Sequence, residues 1–294
     1  MHFRISHETV YNYASPASES VGELRIYPVD TPDQTVSKRK VQLDPEIPVD
    51  TFEDYFGNTV GCFSVPFRHK RLQVSMTADV ETRPPPDPGP AADVPVGEAR
   101  RLNRDRRIQL YLYRQPTPTV PLGKGTDTLR KRFFRDAAPL RETLENLNNW
   151  IHKSFTYMPG VTDVSTPLSK VLRERKGVCQ DFAHLMLSIL RHNGIPARYV
   201  SGYIEPVDPT KSDGSELVGA AASHAWVEVN LPDGRWWGLD PTNNQSAGER
   251  HVKVAVGRDY HDVAPLRGTF KGATNQKLQV IVSMTRKRTS GRTP

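Results

Sequence analysis

Hydrophobic and polar residues alternate with a period of two over the first part of the chain. From His2 to about Arg83, short runs rich in Tyr, Val, Phe and Thr are separated by turn residues such as Gly57-Asn58. Because successive side chains of a strand point to opposite faces of a sheet, this alternation predicts about six strands. We interpret residues 1–83 as a small all-β domain, either an antiparallel sandwich or an open barrel.

A proline-rich segment follows the alternating region. Six prolines stand between Pro84 and Pro95, and such a composition favours extended backbone without a core of its own. We therefore predict a linker at residues 84–97 and a second domain at residues 98–285. The residues 286–294 are basic and polar, which predicts a flexible tail.

The second domain shows a helical period. Apolar residues recur at steps of three and four, and they are Leu140, Leu144, Leu147, Ile151 and Phe155. This spacing predicts a helix from about Pro139 to Phe155. A short second helix is predicted after Pro167, ending at Gly177, and a third from Cys179 to His192. Strand patterns follow at residues 197–204, 225–231, 235–239 and 277–284, so the domain is predicted to be α+β.

The composition is that of a folded protein. Of the 294 residues, 36% are hydrophobic and 25% charged, which excludes wholesale disorder and collagen-like repeats. No stretch approaches the roughly 18 apolar residues of a membrane span, and the first ten residues lack a secretory signal's apolar segment. The formal charge of +7 is spread along the chain. We therefore expect neither a membrane nor a nucleic acid as a partner.

The chain contains only two cysteines, Cys62 and Cys179. They are too few for a disulfide framework, and they lack the C-x-x-C spacing of zinc and redox sites. We expect a reducing, cytoplasmic location and neither a metal nor a cofactor. Cys62 lies in an apolar predicted strand and is interpreted as a buried structural thiol.

Cys179 has a position that suits a nucleophile. It stands in the first turn of the third predicted helix, where unpaired amide N–H groups and the helix dipole stabilise a thiolate. The same amides can bind a developing oxyanion. The alternative is that Cys179 is a small buried apolar residue, because free cysteines are often just that.

A thiol nucleophile needs a base, and helix geometry excludes the nearest histidine. His184 lies five residues along the same helix, so it points about 140° away from Cys179. His224 instead begins the strand pattern H-A-W-V-E-V-N-L, which is followed by Pro232-Asp233-Gly234. This tripeptide favours a three-residue hairpin loop with Gly234 in the left-handed conformation.

The hairpin register decides which residue faces His224. If Leu231 pairs with Arg235, Thr242 lies opposite His224, and Asp240 lies one diagonal step away on the same face. A nucleophile, a base and an orienting carboxylate can then meet, as acyl transfer requires. A β-bulge would shift the hairpin register by one residue and place the two side chains on opposite faces of the sheet. The alternative is that His224 is an ordinary strand residue and Asp240 a turn former before Pro241.

Several motifs resemble the bacterial transglutaminase-like family. They are G-V-C-Q-D-F-A-H around Cys179, R-Y-V-S-G-Y from Arg198, S-H-A-W-V-E-V around His224, W-W-G-L-D-P-T-N around Asp240, Y-M-P-G-V-T from Tyr157 and R-H-V-K-V-A-V-G-R-D-Y-H-D-V from Arg250. The opening H-E-T-V-Y-N-Y and the later D-Y-F-G-N resemble the same family's N-terminal β-domain. The resemblance implies a papain-like α+β core with Cys179, His224 and Asp240 as its triad.

The resemblance also implies a reaction: attack of the thiolate on a peptide or protein amide, giving a thioester. Either water or an amine acceptor then resolves the thioester, so hydrolysis and cross-linking are both open. Gln180 and Tyr157 are candidates for the second oxyanion donor, and Trp226 and Trp237 for the walls of an acyl cleft. The alternative from another class is a non-catalytic peptide-binding module on the same fold.

Overall fold

The computed structural model describes residues 1–106, 108–123, 125–206, 223–272 and 275–287. Its first six strands are β1 His2–Ala17, β2 Glu19–Leu24, β3 Gln34–Asp44, β4 Asp50–Glu53, β5 Thr59–Val65 and β6 His69–Thr82. Their number confirms the sequence-based prediction. In β1, Phe3, Ile5 and His7 are buried while the residues between them are exposed, so one face of the strand packs on a core.

The rest of the described chain mixes helices and strands, as predicted. The helices are α1 Val96–Asp105, α2 Asp127–Phe133, α3 Leu140–Ser154, α4 Leu168–Glu174, α5 Cys179–His192 and α6 Tyr260–Val263. The strands are β7 Thr156–Tyr157, β8 Lys176–Gly177, β9 Ala197–Ile204, β10 His224–Asn230, β11 Trp236–Asp240, β12 Gln245–Ser246, β13 His251–Gly257, β14 Leu266–Lys271 and β15 Gln276–Arg286. Within the described ranges, no helix is both long and apolar enough to span a bilayer.

The N-terminal domain consists of two four-stranded antiparallel sheets. Their strand orders are β15-β1-β6-β3 and β14-β2-β5-β4. Apolar side chains from both sheets belong to one core cluster, which includes Leu24, Val65, Val74 and Met76. Of the two architectures predicted from the alternation, the structure therefore has the sandwich.

The last two strands differ from the predicted division of the chain, which placed all of residues 98–285 in the second domain. β14 pairs with β2, and β15 pairs with β1 from Phe3 opposite Arg286 to Tyr13 opposite Gln276. Without them, β1 and β2 would be sheet edges with a row of unpaired N–H and C=O groups. Of the predicted tail, residues 288–294 lie outside the described residues.

The second domain is built around α5, which packs against β9 and β10. These strands belong to a five-stranded antiparallel sheet with the order β12-β11-β10-β9-β13. All side chains of α5 except Gln180 and His192 are buried, so α5 is a central helix enclosed by the rest of the domain. Its bounds are those predicted: it ends at His192, and Asn193 and Gly194, whose φ is 72°, follow the helix.

β13 is an edge strand of this sheet, and the N-terminal domain covers its free edge. The side-chain amide of Gln34 donates to the Lys253 carbonyl at 2.9 Å and accepts from the Lys253 N–H at 2.8 Å. Asn58 makes the equivalent pair with the backbone of Val256, both at 2.8 Å. Each amide therefore satisfies a donor and an acceptor that a further strand would otherwise take.

The proline-rich segment is attached to the second domain. The Arg235 guanidinium donates to the carbonyl of Asp87 at 3.0 Å and to that of Pro88 at 2.7 Å. The segment contains a 3-10 turn at Gly89–Ala92, and α1 already begins at Val96. The predicted linker therefore ends at Pro95, two residues earlier than the sequence indicated.

The end of α4 differs from the prediction. The helix stops at Glu174, and Arg175 adopts the left-handed conformation with φ 57° that was expected of a terminating glycine. Gly177 serves another purpose. A Cβ at Gly177 would lie 2.7 Å from Oδ2 of Asp181 and 2.9 Å from its Cβ, so a glycine lets the chain pass closely by the first turn of α5.

Gly177→Ala is expected to lower the free energy of unfolding by about 1–3 kcal/mol, because the added methyl group overlaps the Asp181 side chain. Urea denaturation followed by circular dichroism measures the change. Gly248→Ala is the matched control, because the nearest atom to its added Cβ, in Pro85, lies 4.0 Å away. Equal stabilities of the two variants would show that the contact at Gly177 is not restrictive.

Candidate active site

Cys179 is the first residue of α5, and its side chain is buried. Asp181, in the same turn, accepts a hydrogen bond from the Val178 N–H at 2.8 Å and another from the Thr162 hydroxyl at 2.7 Å, both on Oδ2. These bonds attach the segment before α5 and the loop that contains Thr162 to the helix start. Asp181 thus fixes the backbone on which Cys179 stands.

The hairpin of β10 and β11 has the predicted register. The Leu231 N–H donates to the Arg235 carbonyl at 2.8 Å, and Gly234 has φ 96°. The ladder pairs Val227 with Leu239 and shows no bulge. The hairpin register assumed from the sequence is therefore correct, and it places His224 and Asp240 on the same face of the sheet.

His224 and Asp240 form a fully buried pair. Nε2 of His224 lies 2.9 Å from Oδ2 of Asp240, and both side chains are 0% exposed. Burial lowers the pKa of His224, but the charge and hydrogen bond of the Asp240 carboxylate, with a smaller contribution from Cys179, outweigh burial and raise the pKa to about 10. A proton therefore stays on Nε2 in both charge states of the ring.

The other ring nitrogen of His224 is available for chemistry. Among the described residues, Nδ1 has no hydrogen-bond partner. The Cys179 side chain is one of the groups that raise the pKa of His224. Of the three residues that the sequence analysis nominated, the fold pairs His224 with Asp240 and places Cys179 at the start of α5.

Asp240 accepts five hydrogen bonds from residues within the described ranges. Its Oδ1 accepts from the backbone N–H groups of Thr242 at 2.9 Å and Asn243 at 3.2 Å. Its Oδ2 accepts from His224, from the Asn243 side-chain amide at 2.8 Å and from Nε2 of His251 at 3.2 Å. Burial raises the pKa of Asp240, but the imidazoles and these hydrogen bonds hold it well below its usual range.

His251 is a member of the site that the sequence analysis did not nominate. It is the first residue of β13, and its ring is buried. The signal was present, because His251 stands in the family motif that begins at Arg250, but its neighbour Asp240 is 11 residues away and on another strand. Local spacing gives no reason to pair the two.

The cluster of His224, Asp240 and His251 has the composition of a metal site. Its three ligand atoms lie within 4.8 Å of one another. A metal would require unprotonated nitrogens facing a shared centre. Both Nε2 atoms instead lie at hydrogen-bond distance from the same carboxylate oxygen, an arrangement in which each nitrogen carries a proton. The geometry fits a hydrogen-bonded cluster better than a coordination sphere.

The candidate oxyanion donors lie on the two sides of Cys179 in the chain. Tyr157, in β7, is half-buried and packs edge-on against Phe182 at a centroid distance of 6.4 Å. Burial, with a contribution from Cys179, raises the pKa of Tyr157 to about 12, so its phenol keeps its proton. Gln180, the second residue of α5, is half-buried.

The tryptophans have separate surroundings. Trp226 is buried, and its ring stacks on His224 at 6.2 Å and meets His251 edge-on at 5.2 Å. Trp237 donates from Nε1 to the Ser246 hydroxyl at 3.2 Å. Trp226 and Trp237 line a cavity of about 710 Å³ between the core sheet, the proline-rich segment and the N-terminal domain. His251, which belongs to the cluster around Asp240, also lines this cavity.

The segment from Pro206 to Ser223 leads directly into His224, which makes it a candidate rim of the site. Its residues 207–222 lie outside the described residues.

Comparison with known proteins gives the family. Residues 127–241 match the model of the transglutaminase-like superfamily, and residues 3–81 match that of the bacterial transglutaminase-like N-terminal region. A Mycobacterium leprae protein, ML0607, is 36% identical over 286 residues, which cover 96% of this chain and 98% of that protein. The chain belongs to the bacterial transglutaminase-like family. The sequence-based assignment is thereby confirmed.

Two further matches are more distant. A protein-glutamine gamma-glutamyltransferase of Pseudomonas aeruginosa is 32% identical over 149 residues, which cover 50% of this transglutaminase-like chain and 21% of that protein. A solved Cytophaga hutchinsonii structure, described as a proposed cysteine protease, is 22% identical and has a TM-score of 0.74. The match covers 98% of this chain and 92% of that one, and it establishes the shared fold.

The raised pKa of His224 predicts how stability depends on pH. The pKa of His224 is near 10 in the folded state and about 6.5 in the unfolded state. The His224–Asp240 pair therefore makes its full contribution to the free energy of unfolding below pH 6.5. Its contribution is lost as the pH rises towards 10. The stability difference between the wild type and His224→Gln should therefore shrink between pH 6.5 and 10. Urea denaturation at several pH values measures it, and a constant difference would contradict the raised pKa.

Proposed function

We propose that this protein is a cysteine-dependent enzyme that transfers or hydrolyses an acyl group at a peptide or protein amide. Cys179 is the nucleophile, His224 carries the proton and Asp240 orients the imidazole. The observation that carries the proposal is the buried His224–Asp240 pair at 2.9 Å. Within the described ranges Nδ1 of His224 has no hydrogen-bond partner, and Cys179 stands at the start of α5.

The reaction has two halves. In the first, the Cys179 thiolate forms a bond to the amide carbon, and the C–N bond then breaks while the His224 imidazolium gives a proton to the departing amine. This leaves a thioester and a neutral imidazole. In the second, His224 takes a proton from water or an amine, which attacks the thioester, and the C–S bond breaks to return the thiolate and the imidazolium.

Two groups are suited to stabilise the oxyanion. The backbone N–H of Cys179 belongs to the first turn of α5, where amides lack helical acceptors. The Tyr157 phenol is the second, because its pKa near 12 keeps it a hydrogen-bond donor throughout the working range. Trp226 and Trp237, which line the neighbouring cavity, are our candidates for contacts with the acyl side of the substrate.

The reactivity of Cys179 separates an enzyme from a peptide-binding module. Iodoacetamide should alkylate Cys179 faster than Cys62 at pH 6, because the proposed nucleophile is activated by its histidine partner. Cys62 is the internal control: it is half-buried, not fully buried as the sequence suggested, and burial raises the pKa of its thiol. Peptide mass spectrometry gives both rates. A Cys179 that is no faster than Cys62, or unaffected by His224→Gln, would favour the binding module.

The acceptor is identified with a glutamine-containing peptide library. The protein is incubated with the library, with and without a primary amine, and ammonia release, backbone cleavage and amine incorporation are followed by mass. Amine incorporation identifies a transglutaminase, and ammonia release without incorporation identifies a deamidase. Backbone cleavage identifies a peptidase. Cys179→Ser is the control and should abolish each product.

Tyr157→Phe is expected to lower the rate of thioester formation about 100-fold, because one oxyanion donor is lost. It should leave iodoacetamide alkylation unchanged, because that reaction forms no oxyanion. Tyr11→Phe is the control, since Tyr11 is also half-buried but lies in β1 of the N-terminal domain. Equal loss of both reactions in Tyr157→Phe would contradict an oxyanion role and indicate a change in the thiol itself.

A further inference from the structure

A second buried imidazole lies against Asp240, on the strand that the N-terminal domain covers. Nε2 of His251 is 3.2 Å from Oδ2 of Asp240, the oxygen that also accepts from His224. The two imidazole centroids are 6.2 Å apart. The proposed reaction needs one imidazole, so the second requires an explanation.

The hydrogen bonds of His251 determine which nitrogen carries its proton. Nδ1 lies 3.1 Å from the Gly248 N–H, and a backbone N–H can only donate. Nδ1 therefore accepts and has no proton of its own. The proton of the neutral ring is on Nε2, which consequently donates to Asp240. Burial also lowers the pKa of His251, so the ring stays neutral.

The same bonds exclude His251 as a base. Its Nδ1 lone pair is occupied by Gly248, and its Nε2 proton is held by Asp240. Among the described residues, the ionisable groups that act on the ring are Asp240 and His224. The edge of His251 also meets the Trp226 ring, which stacks on His224. His251 therefore has one orientation, and that orientation presents a donor to the carboxylate.

We propose that His251 is a positioning residue that holds Oδ2 of Asp240 against Nε2 of His224. The inference rests on the proposed function, since it assigns His251 a task in the same reaction. Oδ1 is fixed by the amides of Thr242 and Asn243, whereas Oδ2 depends on side-chain donors. Loss of the His251 donor frees Oδ2 to turn away, which weakens the imidazolium and the thiolate beside it.

Two variants separate the donor from the ring. His251→Phe keeps an aromatic ring of similar size but removes the donor, and His251→Gln supplies an amide N–H near the position of Nε2. His7→Phe is the matched control, because it removes another buried imidazole, which bonds the Tyr203 and Thr9 hydroxyls at 2.8 and 3.1 Å. All are made with Cys62→Ser, so that Cys179 is the one thiol.

The measurements are the rate of Cys179 alkylation by iodoacetamide from pH 4 to 10 and the melting temperature. We expect His251→Phe to lower the maximal alkylation rate about tenfold or more, as for the loss of a hydrogen bond to a charged group. It should also narrow the pH range over which Cys179 reacts. His251→Gln should recover most of the rate. His7→Phe should lower the melting temperature without changing the pH profile.

Three results would overturn the inference. One is a lower melting temperature in His251→Phe with an unchanged pH profile, which indicates a structural role alone. Another is a Gln variant as slow as the Phe variant. The third is independent of the proposed function: in protein with ¹⁵N-labelled histidine, NMR should find the proton of His251 on Nε2, and a proton on Nδ1 excludes the donor. If wild-type Cys179 is alkylated slowly while His251 has the expected tautomer, the result counts against the proposed function and, with it, against the positioning role of His251.

Discussion

The buried carboxylate of Asp240 is the constraint on which the rest of the site depends. An ionised carboxylate without partners is far too costly to remove from water, so a fold that buries one must supply donors. Here five donors converge on its two oxygens. They come from β10, from the turn after β11 and from β13, so all three segments must be in place before Asp240 can be buried as an anion.

This requirement links the two domains. β13 carries His251, and its free edge is satisfied by the side-chain amides of Gln34 and Asn58 from the N-terminal domain. Both amides are buried, so their hydrogen bonds are not exposed to competing water. The N-terminal domain thereby contributes to the order of the site without placing a residue beside Cys179 among the contacts described here. Its own sandwich is completed by β14 and β15, which follow the core in the chain.

Cys179, the proposed nucleophile, is positioned by a different set of contacts. Cys179 stands at the start of a buried helix whose preceding backbone is held by Asp181 and passes through Gly177, where there is no room for a side chain. The helix brings the sulfur, and the hairpin brings the imidazole and carboxylate. The packing of α5 against β9 and β10 sets the distance between them.

The sequence by itself determined the features that depend on near neighbours. The periods gave the six N-terminal strands and the bounds of α5, and the Pro232-Asp233-Gly234 loop fixed the register that brings His224 and Asp240 together. Only the tertiary structure decided three other features. They are the pairing of β15 with β1, the hydrogen bonds of Gln34 and Asn58 to the edge of β13, and the contact of His251 with Asp240. The physical reason is that a period identifies a buried face but not its partner, and a buried anion can draw its donors from any strand that the fold brings within reach.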